Sequence, residues 1–301
     1  MRILSLLPSA TEIVFALGLG DSLVGVTAEC DYPPEAAEKT VVSIPALPAG
    51  GDGARLSAAA VDAVVAEAVA SGTALYRLDE AALAALGPDL VLAQDLCVVC
   101  AVPSGAVTEA LDRFGAAATV VSLDPRHLDE VIAGVTAVAE AAGVGERGRA
   151  VAAGLEARLA AVRERVAGAR RRRVVELEWS DPPYLGGHWV PEMVAAAGGM
   201  CVGASPGAPS APVSWAAVGR AEAEVVVFAP CGYGLAEAVA EGEALLGRPE
   251  LAAAAEVWAA DGSAYFSRPG PRVVDGVELL AAMLHPECAG PTVEAGATRL
   301  R

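Results

Sequence analysis

Short runs of consecutive aliphatic and β-branched residues recur along this chain, separated by alanine-rich stretches. Val225-Val226-Val227-Phe228 is the clearest run. A strand that is apolar on both faces must be covered on both, as in a parallel sheet with helices outside. Strand–helix alternation of this kind defines the α/β class. The expected strands are Ile3–Leu7, Leu23–Thr27, Thr40–Ile44, Leu90–Gln94 and Thr119–Leu123 in one half, then Val174–Glu178, Val225–Ala229 and Ser263–Phe266 in the other.

Local signals place helices between them. Ser9-Ala10-Thr11-Glu12 has capping-box spacing, with Ser9 at the cap. Asp79 is expected to cap a helix through Ala85 that stops at Gly87-Pro88. Pro45 to Arg55, rich in Gly and Pro, reads as an exposed loop. His127 to Ala142 reads as helix, Gly143 to Gly145 breaks it, and Glu146 to Ala167 follows as a helix of about 33 Å. Val151, Leu155, Leu159, Val162 and Val166 form its apolar stripe. The expected organisation is an N-terminal α/β lobe over 1–126, a helical region with a long connecting helix over 127–170, and a C-terminal α/β lobe over 171–301. The two parallel-type sheets are then joined by one long helix, with a ligand cleft between the lobes. The basic run Arg170 to Arg173 is expected to complement the carbonyl end of the long helix and stay solvated.

Composition removes several functions. The chain has 301 residues, 54% of them hydrophobic and 20% charged, which is a well-cored globular balance. A formal charge of −17 repels nucleic-acid phosphates and anionic lipid surfaces. No uninterrupted apolar run is long enough to enter a membrane. Met1-Arg2 leads directly into the first strand, so a cytoplasmic location with reduced thiols is expected. The sequence has no Gly-x-Ser-x-Gly elbow, no dinucleotide fingerprint after the first strand and no Walker A motif. A binding protein, not an enzyme, is the expectation.

Ligands of open parallel sheets bind outside the carboxyl ends of the strands. The segments there carry Glu29 to Pro33, Asp95 to Cys100, Trp179 to Trp189, Pro230 to Tyr233 and Ser267 to Arg272. They hold four of six cysteines, three of five tyrosines and two of four tryptophans, in a chain that is only 4% aromatic. Trp179 and Trp189 either line a cleft or seal the core of the second half. His188, between Gly187 and Trp189, is a candidate for ligand contact or metal coordination. Cys97 and Cys100 form a Cys-x-x-Cys, and Cys30 with Cys231 would complete four thiolates for zinc or an iron–sulfur cluster. Such a centre would make the chain a metalloprotein with an enzymatic or redox-sensing role. Cys201 and Cys288 read as spare buried thiols. Arg268 sits in a proline-stiffened segment, either as an anchor for an anionic or amide group or as a clamp within its own lobe.

Longer motifs carry a resemblance. Leu4-Ser5-Leu6-Leu7-Pro8-Ser9-Ala10-Thr11-Glu12-Ile13 with Ala16-Leu17-Gly18-Leu19 resembles the opening of the cobalamin and iron-siderophore substrate-binding proteins of ABC importers. Leu86-Gly87-Pro88-Asp89-Leu90-Val91-Leu92 is similar to their Leu-x-Pro-Asp-Leu-Val motif. Trp189-Val190-Pro191-Glu192-Met193, Ala197-Gly198-Gly199 and Val213-Ser214-Trp215 follow the family's second-lobe pattern. The resemblance implies two lobes on a helical backbone, closest to the cobalamin-binding branch. Its implied ligand is cobalamin or a related corrinoid or metal-tetrapyrrole, held by apolar and aromatic contacts. Carried over by position, Pro8, Ser9, Tyr32, Trp179, Tyr184 and Trp189 stand near that ligand. The loop cysteines depart from the family's usual corrinoid cleft. A chain that starts at its first strand is expected not to serve an importer from outside, unless a leader sequence is missing.

Overall fold

The computed structural model describes residues 1–46, 56–71, 73, 75–95, 104–113, 117–289 and 296–301. The Gly- and Pro-rich stretch expected as a loop lies outside these from residue 47 onward. Contacts divide the chain into two compact units: Met1–Asp124 with Ile132–Ala153, and Pro125–Val131 with Gly154–Arg301.

The first unit contains β1 (Ile3–Ser5), α1 (Pro8–Ala16), β2 (Leu23–Thr27), β3 (Thr40–Pro45), α2 (Ala58–Ser71), β4 (Tyr76–Leu78), α3 (Glu80–Leu86), β5 (Leu90–Ala93), α4 (Ser104–Arg113) and β6 (Thr119–Ser122). Its sheet runs β4-β3-β2-β1-β5-β6, parallel throughout except for the antiparallel edge strand β4. The chain starts in the middle, builds outward to β4 and returns to β5 on the other side of β1. Strand order therefore reverses between β1 and β5, leaving a crevice at their carboxyl ends. Leu4, Leu6, Val42, Val91, Leu83, Val107 and Leu111 form a core under α3 and α4. A methyl at Gly25 of β2 would press on Leu4 and Leu86, so the strand carries no side chain at that point.

The helical region follows the expected pattern. The chain forms α5 (Leu128–Ala141) and α6 (Gly145–Val166), with Gly143 at a φ of 72° in the break. Helix α6 has 22 residues; it begins in the first unit and ends in the second. Leu155, Leu159, Val162 and Val166 of the expected stripe are buried, and Val151 is partly so.

The second unit contains β7 (Arg173–Ser180), β8 (Pro183–Leu185), α7 (Val190–Ala196), β9 (Met200–Cys201), β10 (Ala211–Pro212), α8 (Trp215–Arg220), β11 (Val225–Phe228), α9 (Leu235–Leu245), β12 (Glu256–Ala260), α10 (Gly262–Tyr265), α11 (Val273–Leu284), α12 (Pro286–Ala289) and β13 (Ala297–Arg299). The sheet order is β10-β8-β7-β11-β12-β13, with β9 beside the start of β7. Strands β7, β11 and β12 are parallel, and β8, β10 and β13 are antiparallel additions at the edges. Val175, Leu177, Val226, Phe228, Val257, Val218 and Leu245 form its main core beneath α8 and α9.

Four expectations change. Ser263–Phe266 is not a strand: most of it lies in α10, and the strand is β12, seven residues earlier at its start. A four-residue apolar run does not distinguish helix from strand, and Asp261 decides by accepting the Ala264 N–H at 2.7 Å as a cap. Ser9 is not a cap either. Leu7 is the extended N-cap residue and Pro8 takes the first helical position, where its missing N–H costs nothing. Trp179 and Tyr184 lie in paired strands rather than a loop, directly opposite each other in the β7–β8 register.

The fourth change concerns the arginine run: Arg170 and Arg171 stay exposed as expected, but the run pairs with acids and carbonyls of the second unit. Arg170 reaches Glu224 at 2.6 Å and Arg172 reaches Glu256 at 2.7 Å. Arg173 donates to the carbonyls of Ala221 and Glu222, so it serves the carbonyl end of α8 and not that of α6.

Among the described residues no helix is long and apolar enough to cross a membrane. The expected cap at Asp79 is present, accepting the Ala82 N–H at 2.9 Å, and α3 ends at Gly87 with a φ of 49°. Replacing Asp79 by Ala is expected to cost about 1 kcal/mol, and by Asn only a few tenths. Urea unfolding of the two variants checks this, and equal losses would mean that the side-chain cap contributes nothing.

Candidate functional site

In the first unit the expected ligand residues surround the carboxyl ends of β1 and β2. Pro8 and Ser9 open α1, and Ser9 is 2% exposed. Tyr32 is 46% exposed, large for an aromatic side chain. Cys30 is buried between hydroxyls: Thr11 donates to its sulfur at 3.1 Å, and Thr27 Oγ1 lies 3.4 Å away. Past β5, Asp95 accepts the Ser104 N–H at 2.9 Å and the Ser104 hydroxyl at 2.5 Å. The Ser104 bonds hold the Asp95 carboxyl below its ordinary value. Cys97 and Cys100 lie outside the described residues.

In the second unit β7, β11 and β12 release the chain at one edge, and aromatic residues gather there. Trp179 meets Tyr233 edge-on, with ring centroids 5.4 Å apart. Tyr184 is the register partner of Trp179 on β8. Trp179 and Tyr184 are half-buried, so part of each ring reaches solvent. Trp189 is 6% exposed and donates its indole N–H to the Phe266 carbonyl at 2.9 Å, which makes it an anchor for its loop. Half-buried His188 stacks on Trp189 with centroids 5.7 Å apart. Its backbone has a φ of 50°, unusual for a residue with a side chain. Two bonds hold it there: His188 N–H to the Ala208 carbonyl at 2.6 Å, and Gly207 N–H to the His188 carbonyl at 2.9 Å. Burial lowers the imidazole pKa, and the nearby Arg126 charge lowers it further. Arg268 is half-buried on the segment that follows α10.

Two acidic residues beneath this loop went unnoticed in the sequence. Glu176 and Glu178 sit on one face of β7, the face opposite Val175 and Leu177. Glu176 is 2% exposed, and neither of its carboxyl oxygens has a hydrogen-bond partner among the described residues. The Gly186 N–H, close by, is used by the Glu176 backbone carbonyl at 3.4 Å. A methyl at Gly186 would collide with the Glu176 carboxyl, so this glycine is what allows the loop to lie on the acid. Burial, and then the Glu178 charge, push Glu176 well above the ordinary carboxylate range. Burial also raises Glu178, while the Ser210 hydroxyl, donating at 2.6 Å, and the Gly187 N–H pull it back. The signal in the sequence was two acids at alternating positions of an otherwise apolar strand. Alternation of that kind reads equally well as a solvated face.

The motif residues have structural roles. Glu192 accepts the first N–H of α5, from Leu128, at 2.6 Å and contacts His127 Nδ1 at 3.0 Å. Ser214 caps α8, and the Arg248 guanidinium lies 3.8 Å over the Trp215 ring. Cys30 is buried in the first unit and Cys231 is exposed in the second. Among the described residues no three His, Cys, Asp or Glu side chains form a group able to hold a metal ion. Cys201 is partly buried, and burial pushes its thiol up to about 11, as suits an inert side chain. Cavities of about 510 and 830 Å³ open elsewhere on the second unit, and none of the expected site residues is among those lining them.

The periplasmic binding protein family model matches residues 3–255. The chain belongs to this family. It is 27% identical over 290 residues to the vitamin B12-binding protein of Vibrio cholerae, covering 94% of this chain and 88% of that one. The crystal structure of the periplasmic vitamin B12 binding protein BtuF of Vibrio cholerae matches with a TM-score of 0.68 and 26% identity, over 94% of this chain and 96% of that one. The apo form of the periplasmic heme-binding protein RhuT from Roseiflexus sp. RS-1 matches with a TM-score of 0.69 and 25% identity, over 96% and 99%. A 34-residue stretch is 62% identical to the ABC transporter substrate-binding lipoprotein YvrC of Bacillus subtilis, covering 11% of each chain. As a family member the chain has the two-lobe α/β architecture expected from its sequence, and its relatives are substrate-binding proteins.

Glu176 gives a pH test of this site. Its folded value is raised, so the native state holds a proton that the unfolded chain releases above about pH 4.5. The stability this provides is complete below that value and is lost as pH rises toward the folded value. Glu176→Gln, neutral at every pH, is expected to remove the loss, worth about 1.4 kcal/mol per unit of displacement. Denaturation midpoints of both proteins at pH 5 and pH 8 measure it. Parallel pH profiles would mean that Glu176 titrates as it does in the unfolded chain.

Proposed function

We propose that this protein binds a corrinoid, cobalamin or a close relative, at the carboxyl-end edge of its second α/β unit. The observation that carries the reading is the pair of half-buried rings Trp179 and Tyr184 on the second unit, backed by buried Tyr233 edge-on to Trp179, in a chain so poor in aromatic residues. A broad, flat, amphipathic ring system gains most from such surfaces and needs few polar anchors. Arg268, on the same unit, is a polar contact in this reading. The B12-binding and haem-binding relatives support a metal-centred tetrapyrrole as the ligand type.

Charge favours the corrinoid over haem. Asp181, Glu237, Glu241 and Asp261 stand past the carboxyl ends of β7, β11 and β12. Haem presents two carboxylates, which repel such a rim, whereas the corrin periphery presents amides whose N–H groups need acceptors. The Ser180 hydroxyl already donates to the Glu241 carboxylate, an example of the acceptor role these residues offer. An all-binding role needs no catalytic group, in line with substrate-binding relatives.

Calorimetric titration with cyanocobalamin and, separately, with hemin tests the reading. We expect the corrinoid to bind at least tenfold more tightly than hemin. Trp179→Ala is expected to raise its dissociation constant about tenfold, with the circular dichroism spectrum unchanged. Absence of heat at millimolar cyanocobalamin would reject the corrinoid, and preference for hemin would transfer the site to the haem class.

A further inference from the structure

We infer that Glu176 is a proton latch: with its carboxyl neutral the segment 186–189 lies closed on β7, and with it ionised the segment opens and water reaches the acid. The inference is independent of the ligand proposed above. Glu176 is buried, and neither of its carboxyl oxygens has a hydrogen-bond partner among the described residues. The cover is close. A methyl at Gly186 would collide with the Glu176 carboxyl and crowd Val190 of α7. The acid is thus enclosed by a glycine backbone and an aliphatic side chain, which keep water from it. An ionised carboxylate in such a place needs a donor or a cation. Gly186 supplies neither, because its N–H is directed to the Glu176 backbone carbonyl.

The titratable neighbours sharpen the effect. Glu178 lies on the same strand and Cys201 on β9; both become anions when they ionise, so neither balances a charge on Glu176. The register neighbour on β11 is Val227 and the neighbour from α7 is Val190, and neither titrates. Glu178 has what Glu176 lacks, since the Ser210 hydroxyl donates to it at 2.6 Å. The first charge of the pair therefore settles on Glu178, and the second must form beside it without a donor. Burial raises the closed-form value well above the ordinary one. The closed form is accordingly favoured at low pH, and the open form gains as pH climbs from about 4.5 toward the closed-form value.

The segment can open without the rest. The main core of the second unit lies on the other face of β7, with Val175 and Leu177. On the Glu176 side a few separate bonds hold the segment: Gly186 N–H to the Glu176 carbonyl at 3.4 Å, Gly187 N–H to Ser210 Oγ at 3.0 Å and His188 N–H to the Ala208 carbonyl at 2.6 Å. His188 is held at a φ of 50°, a strain that release relieves. Opening of this kind leaves the buried sheet intact and costs less than unfolding.

Hydrogen–deuterium exchange read by mass spectrometry from pH 5 to pH 9, expressed as protection factors, tests the latch. In the wild type, protection over residues 185–190 is expected to fall about tenfold or more across this range, while residues 225–228 keep theirs. Glu176→Gln, neutral throughout, is expected to hold the segment's protection constant. Glu178→Gln removes the neighbouring charge, so the fall is expected to move to lower pH, a shift that a merely structural acid would not produce. Wild-type protection that stays flat overturns the latch, and so does a fall that survives in E176Q. Loss of protection at 225–228 in step with the segment also overturns it, because the event is then unfolding of the unit. Should E176Q fail to fold, the wild-type series and the direction of the E178Q shift still decide.

Discussion

Strands that run parallel must all hand the chain over at the same edge of the sheet. In the second unit this brings Trp179, Tyr233 and Asp261 to one border although 82 residues of chain separate the first from the last. The interior enforces the arrangement. Val175 and Leu177, Val226 and Phe228, and Val257 close against α8 and α9, and any slip of register would expose them. The loops have no comparable core of their own. Their residues are positioned because the strands beneath them cannot move, and the chemistry of the edge is inherited from the packing of the sheet.

The segment from Gly186 to Trp189 shows how the edge is then specialised. It is anchored at one end by the Trp189 indole on the Phe266 carbonyl, and it rests on Ser210, which in turn holds Glu178. Below it lies Glu176, a carboxyl without a partner in a dry place, where an ionised group would be very costly. Backbone strain at His188 and the buried acid at Glu176 both oppose stability, and they sit within one small region. Such costs collect where a surface is shaped for a purpose other than folding. The Glu192 contact with α5 is the contrast: there an acid, a helix start and a histidine satisfy one another.

Much of the architecture was legible from periodicity. The buried runs of β2, β5 and β11 and the helices capped by Asp79 or broken at Gly143 announce themselves through residue type, since each signal is local. Strands of two or three residues such as β8, β9, β10 and β13 carry no usable period, and their existence depends on a neighbour to pair with. The same limit misplaced the last parallel strand of the second unit. Ser263–Phe266 is apolar enough for either state, and the Asp261 cap together with pairing of Val257 and Trp258 to β11 settled the matter. For the site, aromatic enrichment at the strand ends identified Trp179, Tyr184 and His188. It did not distinguish the half-buried Trp179 from Trp189, which serves as an anchor, and it gave no hint of Glu176.

By itself the amino-acid sequence determined the class of fold and the family. These follow from patterns repeated over many residues, where single ambiguities average out. Tertiary structure decided which polar groups are paired. Cys30 lies among threonine hydroxyls, Arg172 on Glu256, His127 on Glu192 and His188 on the Trp189 ring. Pairing depends on distances between segments far apart in the chain, and residue type alone does not encode them.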